Sequence, residues 1–311
     1  MITMTSIPVH KPVLLLESIV GLNVQQDGKY VDCTLGLGGH SLSILQAGKG
    51  SVALLGIDAD LEAMQVARKR LSAYADSVIY INDNFVRLAQ ICRENDFLPA
   101  DGILFDLGVS SLQLDSVERG FSFRSDAMLD MRFGTGQILT ARDIINVLPE
   151  DKLVKLLWDY GEERKSRLIA RAIVASRPVN STMQLSGIIE KAVGGRSGKI
   201  HPATRTFQAI RIAVNEELVN LEGALQGALD CLQRGGRLVI ISYHSLEDRI
   251  VKQFMRREST DCICPPHLPV CRCGHRALLR LIHRGVITPT QEEIGDNPRS
   301  RSAKLRIAER L

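Results

Sequence analysis

The sequence lacks any apolar run long enough to cross a membrane. A membrane-spanning helix needs about 20 consecutive apolar residues, and no run in these 311 residues approaches that length. The first candidate, Val13 to Leu16, is interrupted by Glu17 and has neither a basic n-region nor a small-residue cleavage site. We therefore expect a protein that works in the cytoplasm and makes no contact with a membrane.

The sequence also has few cysteines. The total of seven is odd, and Cys33, Cys92 and Cys231 each stand alone, which suits a reduced compartment better than a secreted disulfide framework. Hydrophobic residues make up 45% of the chain and charged residues 24%, which excludes disordered and collagenous proteins. The length predicts about two domains, each able to bury its own core.

Positive charge is concentrated in two segments. Residues 162–211 contain ten Lys/Arg against three Asp/Glu, and residues 249–311 contain thirteen against six, although the whole chain carries only +4. Two basic segments on an otherwise acidic chain suggest two surfaces that meet a polyanion. The alternative is a pair of solvated helix faces. Residues 166–189 favour the first interpretation, because they contain Arg167, Arg171 and Arg177 and no acid.

Short apolar runs alternate with helical patterns in the first half of the chain. The runs lie at residues 29–31, 51–57, 78–81 and 102–105, and an acidic residue ends or closely follows each run. The helical pattern at residues 61–74 is typical of the connections between them. Strand, helix and strand in this order predict βαβ units in a parallel sheet. The carboxyl edge of such a sheet is where ligands bind.

The strand pattern stops after Asp106 and returns at residues 236–241. In the interval we predict helices at residues 140–147, 151–160, 166–176 and 182–193, followed by a flexible stretch at 194–198. This pattern indicates a helical insertion. A helix is predicted at residues 246–257, and later runs at 278–283 and 304–308 could pair as a closing antiparallel edge.

A strand that ends at Asp32 runs into a glycine-rich turn with Gly36, Gly38 and Gly39 and then into a helix. Glycines allow the backbone to approach a ligand, and the helix N-terminus offers unpaired N–H groups. Asp58 ends the next strand 20 residues after Gly38, where a carboxylate can accept hydrogen bonds from ribose hydroxyls. The alternative is a tight turn without a ligand.

The glycine turn does not fit a dinucleotide. The third glycine of the G-x-G-x-x-G pattern is replaced by Ser41. Asp32 could meet a cationic amino group, and Phe85, after the third strand, could cover an adenine. Together these features predict S-adenosylmethionine as the cofactor, because its positive centres suit a carboxylate-rich pocket and its sulfonium carries an activated methyl group.

The chain resembles the MraW/RsmH family, bacterial enzymes that methylate the N4 amine of a cytidine in the RNA of the small ribosomal subunit. The resemblance runs nearly from end to end and depends on polar motifs in a fixed order. These motifs lie at residues 10–15, 32–41, 106–115, 119–123, 129–132, 201–209, 242–249 and 297–302.

The resemblance implies an α/β fold in which a Rossmann-like S-adenosylmethionine-dependent methyltransferase domain, residues 1–110 and 204–311, is interrupted by a helical RNA-binding domain, residues 111–203. The implied partner is 16S rRNA in the small ribosomal subunit, and the oligomeric state stays open, a homodimer included. The resemblance also implies a set of contacts to S-adenosyl-L-methionine, from Gly38, Gly39, His40, Asp58, Phe85, Asp106 and Gln113.

Methylation of an exocyclic amine requires the nitrogen lone pair, normally delocalised into the ring, to point along the methyl–sulfur axis. Many amino methyltransferases use an Asn/Asp-Pro-Pro-aromatic turn, but this chain has Asp106-Leu107-Gly108-Val109 at that position. We predict that Asp106 shapes the cofactor and amine sites and that His244 contacts the target base. The alternative for His244 is a structural histidine that caps the following helix.

A cytosine in structured RNA has to leave its stack to be methylated. The basic insertion and the arginine-rich tail would then hold flanking phosphates, with Arg205, Phe207 and Arg211 as candidate contacts. Phe207 and Ile210, three residues apart, fit ordinary core packing better.

Cysteines Cys262, Cys264, Cys271 and Cys273 lie close to His267 and His275. This cluster is a plausible zinc knot, but structural zinc sites usually use C-x-x-C pairs, and C-x-C is tighter. The sequence interpretation therefore favours a reduced, mobile loop and assigns no metal site.

Two rival functions stay open at this stage. A nicotinamide-dependent oxidoreductase is disfavoured by Ser41 at the third glycine position. A non-catalytic RNA-binding assembly factor, using the cofactor only as a ligand, would fail to transfer a methyl group to RNA.

Overall fold

A computed structural model describes residues 11–134, 136–196, 201–265, 268 and 270–311. His10, residues 197 and 198 of the predicted flexible stretch, and His267 lie outside these described residues. The chain divides into two compact units. The sheet unit comprises the residues up to Gly108 and those from Asn220 to Leu311, and the helical unit comprises Val109–Val219.

The sheet unit is built around strands β1 to β7, which are, in chain order, Lys29–Asp32, Ala53–Asp58, Val78–Asn82, Ala100–Asp106, Leu232–Ser242, Leu279–Leu281 and Lys304–Arg310. Their order across the sheet is β3-β2-β1-β4-β5-β7-β6. Strands β1 to β5 are parallel, and β7 runs antiparallel to β5 and β6. The order of the parallel strands is that of a Rossmann-like fold. The predicted fold class, with its helical insertion, is confirmed, as is the antiparallel edge.

Both faces of this sheet are covered, because successive strand residues point to opposite sides. Tyr30 and Leu54 belong to one buried cluster, whereas Val31 and Leu55 belong to the other. Helix α1, Leu15–Leu22, precedes β1, and helices α2 to α4, at Gly39–Ala47, Leu61–Arg70 and Leu88–Glu94, fill the connections between β1 and β4. Burial on both faces explains the continuous apolar runs that revealed these strands.

The helix predicted at residues 61–74 is shorter in the structure. Helix α3 ends at Arg70, because Leu71 leaves the α-helical region (φ −93°, ψ 10°) and a 3₁₀ segment, Ser72–Ser77, leads into β3. The side chain of Leu71 is fully buried. The apolar spacing that extended the predicted helix therefore comes from a core residue beyond the helix end.

The helical unit contains helices α5 to α10, at Ser111–Asp115, Ala141–Val147, Glu150–Gly161, Ser166–Ala175, Thr182–Val193 and Ala203–Asn215. The described residues between 111 and 203 form no named strand, and Met128 and Ser181 make an isolated bridge. The unit extends beyond the predicted boundary at 203, because α10 buries Phe207, Ile210 and Val214 in its core. The interpretation of Phe207 and Ile210 as core residues is confirmed.

The remaining helices are α11, Glu217–Cys231, α12, Ser245–Glu258, and α13, Gln291–Asp296. Helix α11 leads directly into β5, and α12 follows β5 after a two-residue connection. No helix in the described part of the chain has both the length and the apolar composition that spanning a membrane requires.

Candidate active site

The candidate site lies at the carboxyl edge of the sheet unit, where parallel strands end in polar residues. Asp32 ends β1, Asp58 ends β2, Asp106 ends β4, and Tyr243 and His244 follow β5. In the sheet, β2, β1, β4 and β5 are consecutive neighbours. The topology therefore gathers side chains that are up to 212 positions apart in the sequence.

The glycine turn after β1 needs its glycines. Gly36 and Gly38 have positive φ angles of +50° and +74°, which favour glycine. A Cβ atom on Gly39 would lie 2.5 Å from Cγ of Pro12, too close without a shift. The turn ends at the first residue of α2, so the N-terminal amides of that helix lie next to the edge.

Asp32 organises this turn from inside. Its side chain is buried, and its two oxygens accept hydrogen bonds from the Thr34 amide, at 3.1 Å, and from the Ser41 hydroxyl, at 2.7 Å. Burial raises the pKa of Asp32. The serine at the third position of the glycine pattern therefore pairs with a buried carboxyl group, a contact that glycine could not make.

Asp58 supports the same turn from β2. Its Oδ2 accepts a hydrogen bond from the Gly36 amide, at 2.6 Å, and its Oδ1 accepts one from the Asp60 amide, at 2.8 Å. Burial raises the pKa of Asp58 to about 6, although both amide bonds act in the opposite direction. Each oxygen keeps a second lone pair, so the carboxylate is able to accept further hydrogen bonds.

Asp106 contacts both Tyr243 and His40. Its Oδ1 accepts a hydrogen bond from the Tyr243 hydroxyl at 2.7 Å, and its Oδ2 lies 3.5 Å from Nδ1 of His40. Its amide donates to Oγ1 of Thr34 at 2.6 Å. Burial raises the pKa of Asp106 to about 7, and the Tyr243 bond lowers it in part.

His40 faces Asp106 in a defined tautomer. Its Nε2 lies 3.0 Å from the carbonyl oxygen of Val13. Because a carbonyl only accepts, Nε2 carries the hydrogen, and in the neutral ring Nδ1 turns its lone pair toward Asp106. Burial lowers the pKa of His40, which favours this neutral form. His40 therefore presents an uncharged ring to Asp106, 3.5 Å from its Oδ2.

His244 is the N-cap residue of α12. Its Nδ1 accepts a hydrogen bond from the Glu247 amide at 3.4 Å, and its Nε2 lies 3.1 Å from Oε1 of Glu247. The capping interpretation of this histidine therefore describes its contacts within the sheet unit. Its proposed contact with a base stays a prediction.

The other sequence-predicted residues occupy distinct positions. Phe85 begins a 3₁₀ turn after β3 and packs edge-on against Phe105, with ring centroids 5.8 Å apart. Gln113 belongs to the helical unit, where it is buried and forms a capping box with Ser110 at the start of α5. The motif at residues 242–249 contains Tyr243, but the sequence analysis gave this residue no role. The signal that could have found it is its position directly after the end of a strand.

The predicted phosphate contacts of the helical unit fall into two groups. Arg167, Arg171 and Arg205 are exposed. Arg177 donates to the carbonyl oxygen of Ile145 at 2.7 Å and is partly buried. Arg211 forms a two-bond ion pair with Glu217, at 2.8 Å each. Arg177 and Arg211 therefore hold the unit together, and the exposed arginines on α8 and α10 are the better candidates for a polyanion.

A glycine turn beside buried and half-buried acids, on a Rossmann-like sheet, is typical of the nucleotide-cofactor sites of α/β proteins. The sequence model of the MraW methylase family matches residues 8–311, and the chain belongs to this family. The resemblance found in the sequence is therefore confirmed.

Relatives in three bacteria cover nearly the whole chain, and each carries the name Ribosomal RNA small subunit methyltransferase H. The protein of Dehalococcoides mccartyi is 58% identical over 99% of this chain and 88% of its own length. The protein of Thermomicrobium roseum is 48% identical over 97% of this chain and 94% of its own. The protein of Heliobacterium mobile is 48% identical over 97% of this chain and 99% of its own length.

Proposed function

We propose that this protein transfers the methyl group of S-adenosyl-L-methionine to the exocyclic N4 amine of a cytidine in the 16S rRNA of the small ribosomal subunit. The observation that carries the proposal is the set of half-buried acids Asp58 and Asp106 beside a glycine turn, in a chain of the MraW methylase family. The names of the relatives supply the RNA class.

The donor groups of the edge fit S-adenosylmethionine. A glycine backbone allows close approach of a ligand, and Asp58 has free lone pairs for the two ribose hydroxyls. Gly38, Gly39, His40, Phe85 and Asp106 would complete the contacts. Gln113, in the helical unit, stays in the set as a prediction from the family resemblance. When bound, S-adenosylmethionine supplies a methyl group on a positively charged sulfur.

Asp106 is suited to move the proton that the amine loses. A pKa of about 7 leaves the carboxyl group about half ionised at neutral pH, the range in which a general base works best. In the ionised form, a carboxylate oxygen accepts a hydrogen bond from the amine and turns the nitrogen lone pair away from the ring. As the methyl group passes from sulfur to nitrogen, the sulfur–carbon bond would break and the nitrogen–carbon bond would form, and Asp106 would take the proton that the nitrogen loses.

His244 would contact the target base from its position directly after Tyr243. The N-cap bond uses Nδ1 and fixes the ring plane, so any contact with the base would depend on the ring edge or face. The exposed arginines Arg167, Arg171 and Arg205 would hold the flanking RNA through phosphates.

The test is a transfer assay with identification of the product. Small subunits that lack the modification are incubated with the protein and S-adenosylmethionine labelled in the methyl group, and the RNA is digested to nucleosides. The proposal predicts label in N4-methylcytidine. Label in another nucleoside would contradict the chemistry, and cofactor binding without transfer would support the RNA-binding assembly factor instead.

A further inference from the structure

The loop between α12 and β6 brings together four thiol groups. The Sγ atoms of Cys262, Cys264, Cys271 and Cys273 all lie within 4.8 Å of one another. Cys271 and Cys273 are 3.5 Å apart, and Cys273 and Cys262 are 3.9 Å apart. In a tetrahedral zinc site with four cysteines, neighbouring sulfurs lie about 3.8 Å apart, because each Zn–S bond is about 2.3 Å long.

Burial of apolar surface does not account for this convergence. None of the described residues between 259 and 278 is buried, so this loop has no hydrophobic core of its own. Three of the four cysteines are exposed, in contrast to the buried positions that unpaired cysteines usually occupy. Ordering an exposed loop costs conformational entropy, and a metal ion bound by four thiolates offsets such a cost.

The backbone around the thiols is arranged as it is around metal-bound sulfur. The Ile263 amide points to Sγ of Cys273 at 3.5 Å, and the Arg272 amide points to Sγ of Cys264 at 3.4 Å. Each C-x-C pair therefore supplies an N–H group to a sulfur of the other pair. Such hydrogen bonds stabilise negative charge on sulfur and orient the ligands.

The base of the loop is closed by the sheet unit itself. The Leu278 amide donates to the carbonyl oxygen of Glu258 at 2.8 Å, and the Ala277 amide donates to Oδ1 of Asp261 at 3.1 Å. His275 directs its Nε2 to the carbonyl oxygen of Arg257, at 3.0 Å, and not to the thiols. The described ligands are thus four sulfurs.

We propose that Cys262, Cys264, Cys271 and Cys273 bind one structural Zn²⁺ ion that holds the loop between α12 and β6. Soft thiolate ligands in a tetrahedral set select zinc among the common divalent cations. The C-x-C pairs are tighter than the usual C-x-x-C pairs, and the crossed amide–sulfur contacts show how the two short pairs still face one another. The proposal departs from the sequence interpretation, which assigned no metal.

The experiment measures the zinc content of tag-free protein purified under reducing conditions without chelator. We expect about one zinc per chain in the wild type and in the control H275Q. The double variant C264S/C271S should lose at least nine-tenths of the zinc. Cobalt added to the metal-free wild type should give thiolate-to-cobalt charge-transfer absorption that the double variant lacks.

A wild-type protein without zinc and without the cobalt signal would overturn the proposal, as would zinc retained at full occupancy by the double variant. Iron in place of zinc, or two disulfides under the same reducing conditions, would also contradict it. Hydrogen exchange gives an independent readout, because chelation should increase exchange in residues 259–278 and leave β1 to β5 unchanged. None of these measurements depends on methyl transfer.

Discussion

The two units of the molecule use charge in opposite ways. The sheet unit buries or half-buries its acids at the carboxyl edge, where burial raises the pKa values of Asp58 and Asp106 to about 6 and about 7. The helical unit exposes Arg167, Arg171 and Arg205 to solvent. A buried acid exchanges protons near neutrality and suits chemistry, whereas an exposed arginine keeps its charge and suits phosphate binding. This difference predicts that variants of the two units separate catalysis from RNA affinity.

The largest effect is expected from D106N. The amide cannot accept the amine proton, so the rate constant for methyl transfer to small subunits should fall by about 10²-fold or more, while the affinity for RNA stays the same. Single-turnover transfer of labelled methyl measures the rate. D96N is a matched control, because Asp96 is exposed on the turn before β4 and Asn tolerates its positive φ of +52°. Equal rates for D106N and the wild type would remove Asp106 from the chemistry.

Reversing charge in the helical unit should affect binding. In the variant R167E/R171E, two exposed cations one helical turn apart become acids, so RNA affinity should fall about tenfold or more and the salt slope should decrease by about two. The rate at saturating RNA should change little. K49E/K69E makes the same change in net charge on the sheet unit and should leave affinity and slope near wild type. An unchanged salt slope in R167E/R171E would show that this surface of the helical unit does not contact phosphates.

Y243F sharpens the assignment within the sheet unit. Loss of the hydroxyl removes the 2.7 Å hydrogen bond that stabilises ionised Asp106, so the pKa of Asp106 should rise further above 7. The pH dependence of the transfer rate should then shift to higher pH, with a loss of about tenfold at pH 7 and recovery toward pH 9. Y80F, which lies on β3, is the control. A loss of rate that is equal at every pH would indicate a structural role alone.

The smallest effect concerns stability. Asp106 has a folded-state pKa raised from 3.8 to about 7, so the folded protein binds more protons than the unfolded protein between these values. Its contribution to the free energy of unfolding therefore falls as pH rises from about 4 to about 7. D106N removes this dependence. The free energy of unfolding of D106N, relative to that of the wild type, should therefore increase by on the order of 1 kcal/mol between pH 5 and pH 8. Urea unfolding at both pH values measures the change. The same pH dependence of the free energy of unfolding in D106N and in the wild type would contradict this assignment.

The sequence revealed features that depend on local order along the chain. Asp32, Asp58 and Asp106 were predictable as a group, because each follows an apolar run, and parallel strands bring such ends to one edge. Phe207 and Ile210 were predictable as core residues from their helical spacing. These inferences need only the period of the pattern and the chain direction.

Other features depend on contacts between distant positions. The bond between Tyr243 and Asp106 joins residues 137 positions apart, and no local pattern encodes it. Arg211 looked like a phosphate contact because its partner Glu217 lies beyond the end of α10. The four thiols converge because amides of one C-x-C pair contact sulfurs of the other, a geometry that spacing rules based on C-x-x-C pairs do not describe.

Titration calorimetry on the purified chain would probe the cofactor assignment most directly. We expect one S-adenosylmethionine per chain, affinity at least tenfold weaker in D58A because the half-buried carboxylate no longer meets the ribose hydroxyls, and no heat with NAD. Binding of NAD in preference to S-adenosylmethionine, or no binding of S-adenosylmethionine with or without small ribosomal subunits, would contradict the account and leave only the fold.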